Sequence, residues 1–383
     1  MKYAIVCGSL PPTYCGIGQL MPKFIEVLQA RGIEVVYLTD TAQPEHAPHN
    51  TDLPEGVEVN YANLRRGLGI RDLFDFVRRT RPEIVLLQYQ TFARNYLDGF
   101  FPWVIQLASP RTKVVSMIHE FAGYSQKGRL RQLPALLASD RILFSDKTQL
   151  ETSLPYSHHW HESKSKTLIF GHTSGSTLSK FNAKPTSTKP LSLAYHGFIQ
   201  PAKGLLELLE ALANFSTPYT LHILGTLEPL LDYGTLDEVT AYQQKVRNFL
   251  NTHPQVQART ILHGDVSPAS PEFQSILREV ELGIFPFQDG LTARRSSFLN
   301  TLLNSNALLA SNCTSLTDEH LSSILNCGGA SSEILDFLND YTHWSQSQRQ
   351  AHYQAQLELK RFLLSEELRQ KMFAQLTLAD VKT

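Results

Sequence analysis

The feature that most constrains this chain is a rhythm. Short apolar runs rich in β-branched residues alternate with stretches of helical periodicity from the first residue onward. Tyr3 to Cys7 reads as a buried strand, and Gly18 to Ala30 as a helix with Leu20, Phe24, Val27 and Leu28 on one face. Glu34–Leu38, Val57–Tyr61, Ile84–Gln88, Val114–His119 and Ile142–Phe144 continue the strands, with helical patterns near 70–79, 102–107 and 130–137. A strand that is apolar throughout is buried on both faces, and strands separated by helices pair in parallel. The pattern therefore predicts an α/β, doubly wound architecture.

The rhythm is interrupted once. After Lys166–Phe170, residues 179–190 read SKFNAKPTSTKP, polar, with two prolines and no period. Strands at 191–195, 220–224, 260–262 and 282–287 then alternate with helices at 203–212, 236–250 and 271–280 and from Arg294, and a long helical region covers 341–376. At 383 residues the chain exceeds the size at which one core stops growing. The predicted division is a first domain over 1–180, a linker at 181–190, a second domain over 191–345 and a helical region over 346–383. A net charge of −1 argues against nucleic acid as a partner. Cys7, Cys15, Cys313 and Cys327 show neither CxxC nor zinc spacing, which fits a reducing cytoplasm. No run of about 18 apolar residues predicts a membrane-spanning helix.

Open α/β sheets bind ligands beyond the carboxyl ends of their strands, so the residues that follow each strand are the candidates. The first such loop carries Gly16 and Gly18 ahead of a helix, where amides can approach an anion. It lacks the GK[ST] of a Walker loop and the third glycine of a dinucleotide fingerprint. His119-Glu120 ends the fifth strand, Lys203-Gly204 opens one helix, and Arg294-Arg295 opens another after Asp289-Gly290. Cations at helix starts oppose the helix dipole, which raises the question of an anionic ligand there. Each has a plain alternative: a tight turn, a satisfied core histidine, a solvated lysine or a solvated arginine pair. His158, His159 and His161 invite a metal reading, but no second ligand cluster accompanies them, and a polar loop explains them equally.

Taken in order, these segments resemble the GT-B-fold retaining glycosyltransferases of family 4. The likeness runs through CGIGQLMPKFIEVLQARGIEVVYLT, the strand-end His119, GFIQPAKGLLELLEAL, LHILGT, LHGDVS and FPFQDG, nearly the whole chain. It implies a GT-B fold, two Rossmann-like domains facing each other across a cleft, with C-terminal helices packing back on the N-terminal domain. It implies transfer of a sugar from a nucleotide-diphosphate sugar to a carbohydrate, lipid-linked or other hydroxyl acceptor, as in polysaccharide or glycoconjugate biosynthesis, with retention of anomeric configuration. Lys203, Arg294 and Arg295 would stabilise the diphosphate, with the amides of Gly16 to Gly18. His119 would contact the transferred sugar, and Asp289 its hydroxyls or the developing cationic ring. Gly197, Val266, Gly290, Leu291, Thr292 and Ser297 would complete the donor site, with Glu120 and Tyr14 on the acceptor side.

Three positions depart from the family pattern: Phe198 replaces an arginine, Asp289 a glutamate, and Ser297 the second glutamate. No Asp-x-Asp occurs, and neither cofactor nor metal is expected. A non-catalytic binding subunit and a nucleotide-sugar 2-epimerase are the alternatives. Arg65, Arg66, Arg71, Arg78, Arg79, Arg81, Lys127, Arg129 and Arg131 make the first domain basic, which admits a peripheral contact with the inner face of the membrane or a solvated surface.

Overall fold

The computed structural model describes residues 1–8, 17–40, 53–64, 69–89, 97–167, 190–227, 236–268, 270–292, 295–314, 316 and 321–378. Tyr14, Gly16, Arg65, Arg66, Arg294 and residues 181–189 of the linker lie outside them. The chain divides into two units, residues 1–174 with 363–383, and residues 175–362.

The first unit holds a seven-stranded parallel sheet in the order β3-β2-β1-β4-β5-β6-β7. Its strands are β1 (Lys2–Val6), β2 (Glu34–Asp40), β3 (Glu58–Ala62), β4 (Ile84–Gln88), β5 (Lys113–Ile118), β6 (Arg141–Phe144) and β7 (Ser165–Thr167). Its helices are α1 (Met21–Gln29), α2 (Gly69–Thr80), α3 (Phe101–Ala108), α4 (Gln126–Ala138) and α5 (Lys147–Ser153). Alternation along β1 feeds two cores. Tyr3 and Ile5 enter one with Phe24 and Leu28, while Ala4 and Val6 enter the other with Phe76 and Ile105.

The second unit holds a six-stranded parallel sheet, β10-β9-β8-β11-β12-β13. Its strands are β8 (Leu191–His196), β9 (Tyr219–Leu224), β10 (Thr260–Gly264), β11 (Leu282–Phe285), β12 (Leu308–Ser311) and β13 (Leu325–Asn326). Around them lie α6 (Leu205–Ala213), α7 (Leu236–Thr252), α8 (Pro254–Gln257), α9 (Pro271–Glu279), α10 (Ser296–Asn304), α11 (Ser331–His343) and α12 (Gln346–Leu363). In each sheet the strand order reverses once, between β1 and β4 and between β8 and β11. Those are the switch points at which such sheets take ligands.

The helical region expected over 341–376 comprises several helices. It is broken at Trp344–Ser345 and again at Leu364–Ser365, where the Ser365 hydroxyl accepts from the Leu368 amide and starts α13 (Glu366–Thr377). Helix α12 stays with the second unit, because the Gln356 side chain bonds both the amide and the carbonyl of Leu309. The first unit takes up the chain again at Leu363. There α13 packs on the first sheet. The Tyr3 hydroxyl donates to the Leu376 carbonyl at 2.9 Å, Arg141 donates to that of Ala374 at 2.8 Å, and Met372 and Leu376 enter the Tyr3 core.

The histidine cluster is local structure. His158 and His159 turn the chain with φ of 50° and 64°. His161 is buried, with Nε2 2.9 Å from the Ser153 hydroxyl and Nδ1 bonded to that of Ser157. Both ring nitrogens are committed to serines.

Candidate functional site

At the switch point of the second sheet, two loops are stitched together. Strand β8 ends at His196 and passes through Gly197 (φ 138°), where a Cβ would lie 3.1 Å from the Ser297 hydroxyl. The chain then makes a single 3-10 turn, Pro201–Lys203, and reaches Gly204 with φ 70°. A Cβ on Gly204 would sit 2.0 Å from the Pro286 carbonyl oxygen, so only glycine lets this loop lie against the one that follows β11. The Gln288 amide donates to the Ala202 carbonyl at 3.1 Å, and its side chain donates to Pro286 and Gly329. Lys203, expected in the first turn of a helix, therefore ends the 3-10 turn instead. Gly204 resets the backbone, and α6 begins at Leu205.

This stitching places cations. Lys203 is buried, with its ammonium 4.7 Å from the centre of the Phe287 ring. The Arg295 guanidinium lies 4.7 Å from the same ring centre and pairs with the Asp289 carboxylate. Arg295 is the N-cap of α10 rather than a residue inside it, and α10 begins at Ser296. Two cations bracketing one ring lie within twice 4.7 Å of each other. At an effective dielectric of about 20, that separation costs roughly 2 kcal/mol or more of repulsion. Cation–π attraction offsets part of it, about 1 kcal/mol per pair. The Asp289 carboxylate, paired with Arg295, offsets it further.

Asp289 is carried on a tight turn, closed by the Gly290 amide donating to the Phe287 carbonyl at 3.0 Å with Gly290 at φ 83°. The turn is fixed from below, where the Leu291 amide donates to the Asn312 carbonyl and the Asn312 side chain to that of Phe287. The Thr292 and Ser297 hydroxyls are closed to solvent and have no hydrogen-bond partner among the described residues. The Ser297 oxygen lies close to Gly197. Val266 lies buried just beyond β10.

His196 was missed by sequence reasoning, although its place at a strand end matches that of His119. It is buried, with Nδ1 3.0 Å from both the Ser297 carbonyl and the Thr301 hydroxyl and its ring edge-on to Phe273. The carbonyl acceptor places the proton on Nδ1. Burial pushes the ring pKa down to about 4, with Lys203 adding to the effect. Burial likewise takes His161 down to about 4, with Lys164 contributing. Both histidines bind protons more readily in the unfolded chain than in the folded one. Stability is therefore complete above about pH 6.5 and is lost as the pH falls towards 4, by about 2–3 kcal/mol per ring. A steep fall in melting temperature across that window is expected, and His161→Asn should flatten it. An equal slope in the variant would contradict this assignment.

In the first unit the strand ends converge separately. His119, one residue past β5, is buried, and its Nε2 lies 2.7 Å from the side-chain Oε1 of Gln88 at the end of β4. Its own carbonyl accepts from the Ser145 hydroxyl beyond β6. Glu120 next to it is exposed. Gly18 is buried and opens a 3-10 turn ahead of α1.

No family model and no curated protein matches this sequence. Solved structures do resemble its fold. The N-terminal domain of Candida albicans trehalose-6-phosphate phosphatase aligns with TM-score 0.71 at 10% identity, over 99% of this chain and 97% of that one. HepE of Anabaena in complex with UDP-glucose aligns at 0.66 and 12%, over 99% and 100%. The lipopolysaccharide outer core galactosyltransferase WaaB aligns at 0.60 and 14%, over the whole of both chains. The chain has the fold of the GT-B glycosyltransferases, an α/β architecture of two doubly wound units.

Proposed function

We propose that this chain is a glycosyltransferase that moves a sugar from a nucleoside-diphosphate sugar to a hydroxyl acceptor with retention of configuration. The observation that carries the proposal is the pair of cations, Lys203 and Arg295, held over Phe287 at the second sheet's switch point. Breaking the anomeric C–O bond leaves charge on the departing diphosphate, and fixed cations stabilise that charge as it develops. The UDP-glucose held by the Anabaena protein of the same fold supports a uridine diphosphate sugar as donor.

In this reading Lys203, Arg294 and Arg295 hold the diphosphate, with backbone amides near Gly16 and Gly18. Gly197, Val266, Gly290, Leu291 and Thr292 shape the nucleotide's seat. Asp289 and His119 hold the transferred sugar, and the acceptor meets Glu120 and Tyr14. Protein cations take the role that a metal–diphosphate complex plays elsewhere, so turnover needs no divalent ion. A carbohydrate or glycoconjugate acceptor in the cytoplasm completes the proposal. Slow hydrolysis of UDP-glucose, followed by proton NMR, tests it. The α-anomer should appear first, together with UDP. Release of the β-anomer first would overturn retention, and binding without UDP formation would leave a non-catalytic binding protein.

A peripheral membrane contact has its own support. Phe100 just ahead of α3 and Trp103 and Leu107 along it are exposed, as are Leu130 and Leu137 along α4. The two helices are joined by Gln106 donating to the Ala138 carbonyl at 2.8 Å. Neither helix contains an acid, while α4 carries Lys127, Arg129 and Arg131. Apolar and aromatic side chains beside basic ones suit an anionic lipid surface. Among the described residues no helix is long and apolar enough to cross a membrane. Flotation with phosphatidylglycerol vesicles should carry the protein upward at low salt and Trp103→Ser less so; a protein left in the lower fraction would exclude the contact.

A further inference from the structure

The pairing of Asp289 with Arg295 joins two residues to which the donor site gives different tasks. The guanidinium is the fixed member, with 11% of its side chain exposed and its plane anchored at Phe287. The carboxylate is the movable one, with 49% of its side chain exposed on the Phe287–Gly290 turn. A carboxylate and a phosphoryl group are equivalent partners for a guanidinium, since each offers oxygen atoms to its fork of N–H donors. A diphosphate carries more negative charge than a single carboxylate and so competes with it for the guanidinium.

We infer that Asp289 occupies on Arg295 the place of a substrate phosphoryl group, and that a nucleoside-diphosphate sugar enters by displacing it. The displaced carboxylate then meets the sugar hydroxyls, so that arrival of the diphosphate and engagement of the sugar are one exchange. After transfer, the bare nucleoside diphosphate offers Asp289 no hydroxyl. The carboxylate competes for Arg295 again and favours release of the product. Asp289 is on this account an internal competitor of the product as well as a sugar ligand. The inference rests on the donor reading above.

The test is calorimetric titration of UDP into the wild type, Asp289→Asn and Asp289→Ala at low ionic strength, with UDP-glucose turnover measured alongside. Both variants should bind UDP about fivefold tighter, the equivalent of one half-exposed ion pair. Both should turn over UDP-glucose more slowly, having lost the sugar contact. Equal or weaker UDP binding by the variants, with the wild type still binding, would overturn the exchange and leave the donor reading intact. A wild type that fails to bind UDP would overturn both.

Discussion

Lys203→Ala is expected to lower kcat/KM for the donor by about a hundred- to a thousandfold, the usual cost of removing one fixed group that stabilises transition-state charge. The ground for so large an effect is the cost of keeping this lysine where it is. Its ammonium is buried beside a second cation, Arg295, and both meet the same phenylalanine ring. A side chain kept in such surroundings for stability alone would be replaced to advantage by an apolar one. The variant should therefore melt no lower than the wild type, and Lys203→Met, which keeps the stem against Phe287, should be at least as stable. Loss of activity accompanied by a large drop in melting temperature would mean that the lysine is structural. Unchanged activity would remove it from the site.

Gly204→Ala should have the second large effect, by another route. At φ 70° a side chain is already strained, and its Cβ would lie 2.0 Å from the backbone oxygen of Pro286. Relief requires the loop carrying Lys203 to separate from the loop carrying Phe287, which breaks the bond from the Gln288 amide to Ala202. The expected cost is on the order of 3 kcal/mol, together with loss of donor binding as the ammonium leaves the ring. Gly264 provides the control. It has φ 69° with nothing within 4 Å of a Cβ, so Gly264→Ala should cost only the conformational strain, about 1 kcal/mol. Equal effects at the two positions would show that close approach of the loops is unimportant.

Much of the fold was legible because parallel strands buried on both faces leave an unmistakable pattern. Ile84–Gln88 is found at the bounds the apolar run gives it, and most other strands differ by a residue or two. Strand β12, with the sequence LLAS, and the two-residue β13 escaped notice, since neither carries the β-branched run that marked the others. Helix starts were less legible than helix bodies. Lys203 and Arg295 look helical by periodicity, yet Gly204 at positive φ and the non-helical Arg295 backbone place both ahead of their helices. The strand-end rule found Lys203, Asp289 and Arg295. It could not find their partners, because the pairing with Asp289 and the sharing of Phe287 depend on loop geometry. His196 was overlooked for a similar reason, as its partners Ser297 and Thr301 lie 101 and 105 residues further on.

The central claim is that the loops after β8 and β11 form a diphosphate seat built on Lys203 and Arg295. The most direct measurement is the melting temperature of wild type, Lys203→Ala and Arg295→Ala with increasing UDP. A ligand that binds only the folded protein stabilises it by about 2.7 kcal/mol at a hundredfold excess over its dissociation constant. The account predicts a clear rise for the wild type that is strongly reduced in both variants at the same UDP concentration. An equal rise in all three proteins, or none in the wild type, would contradict it.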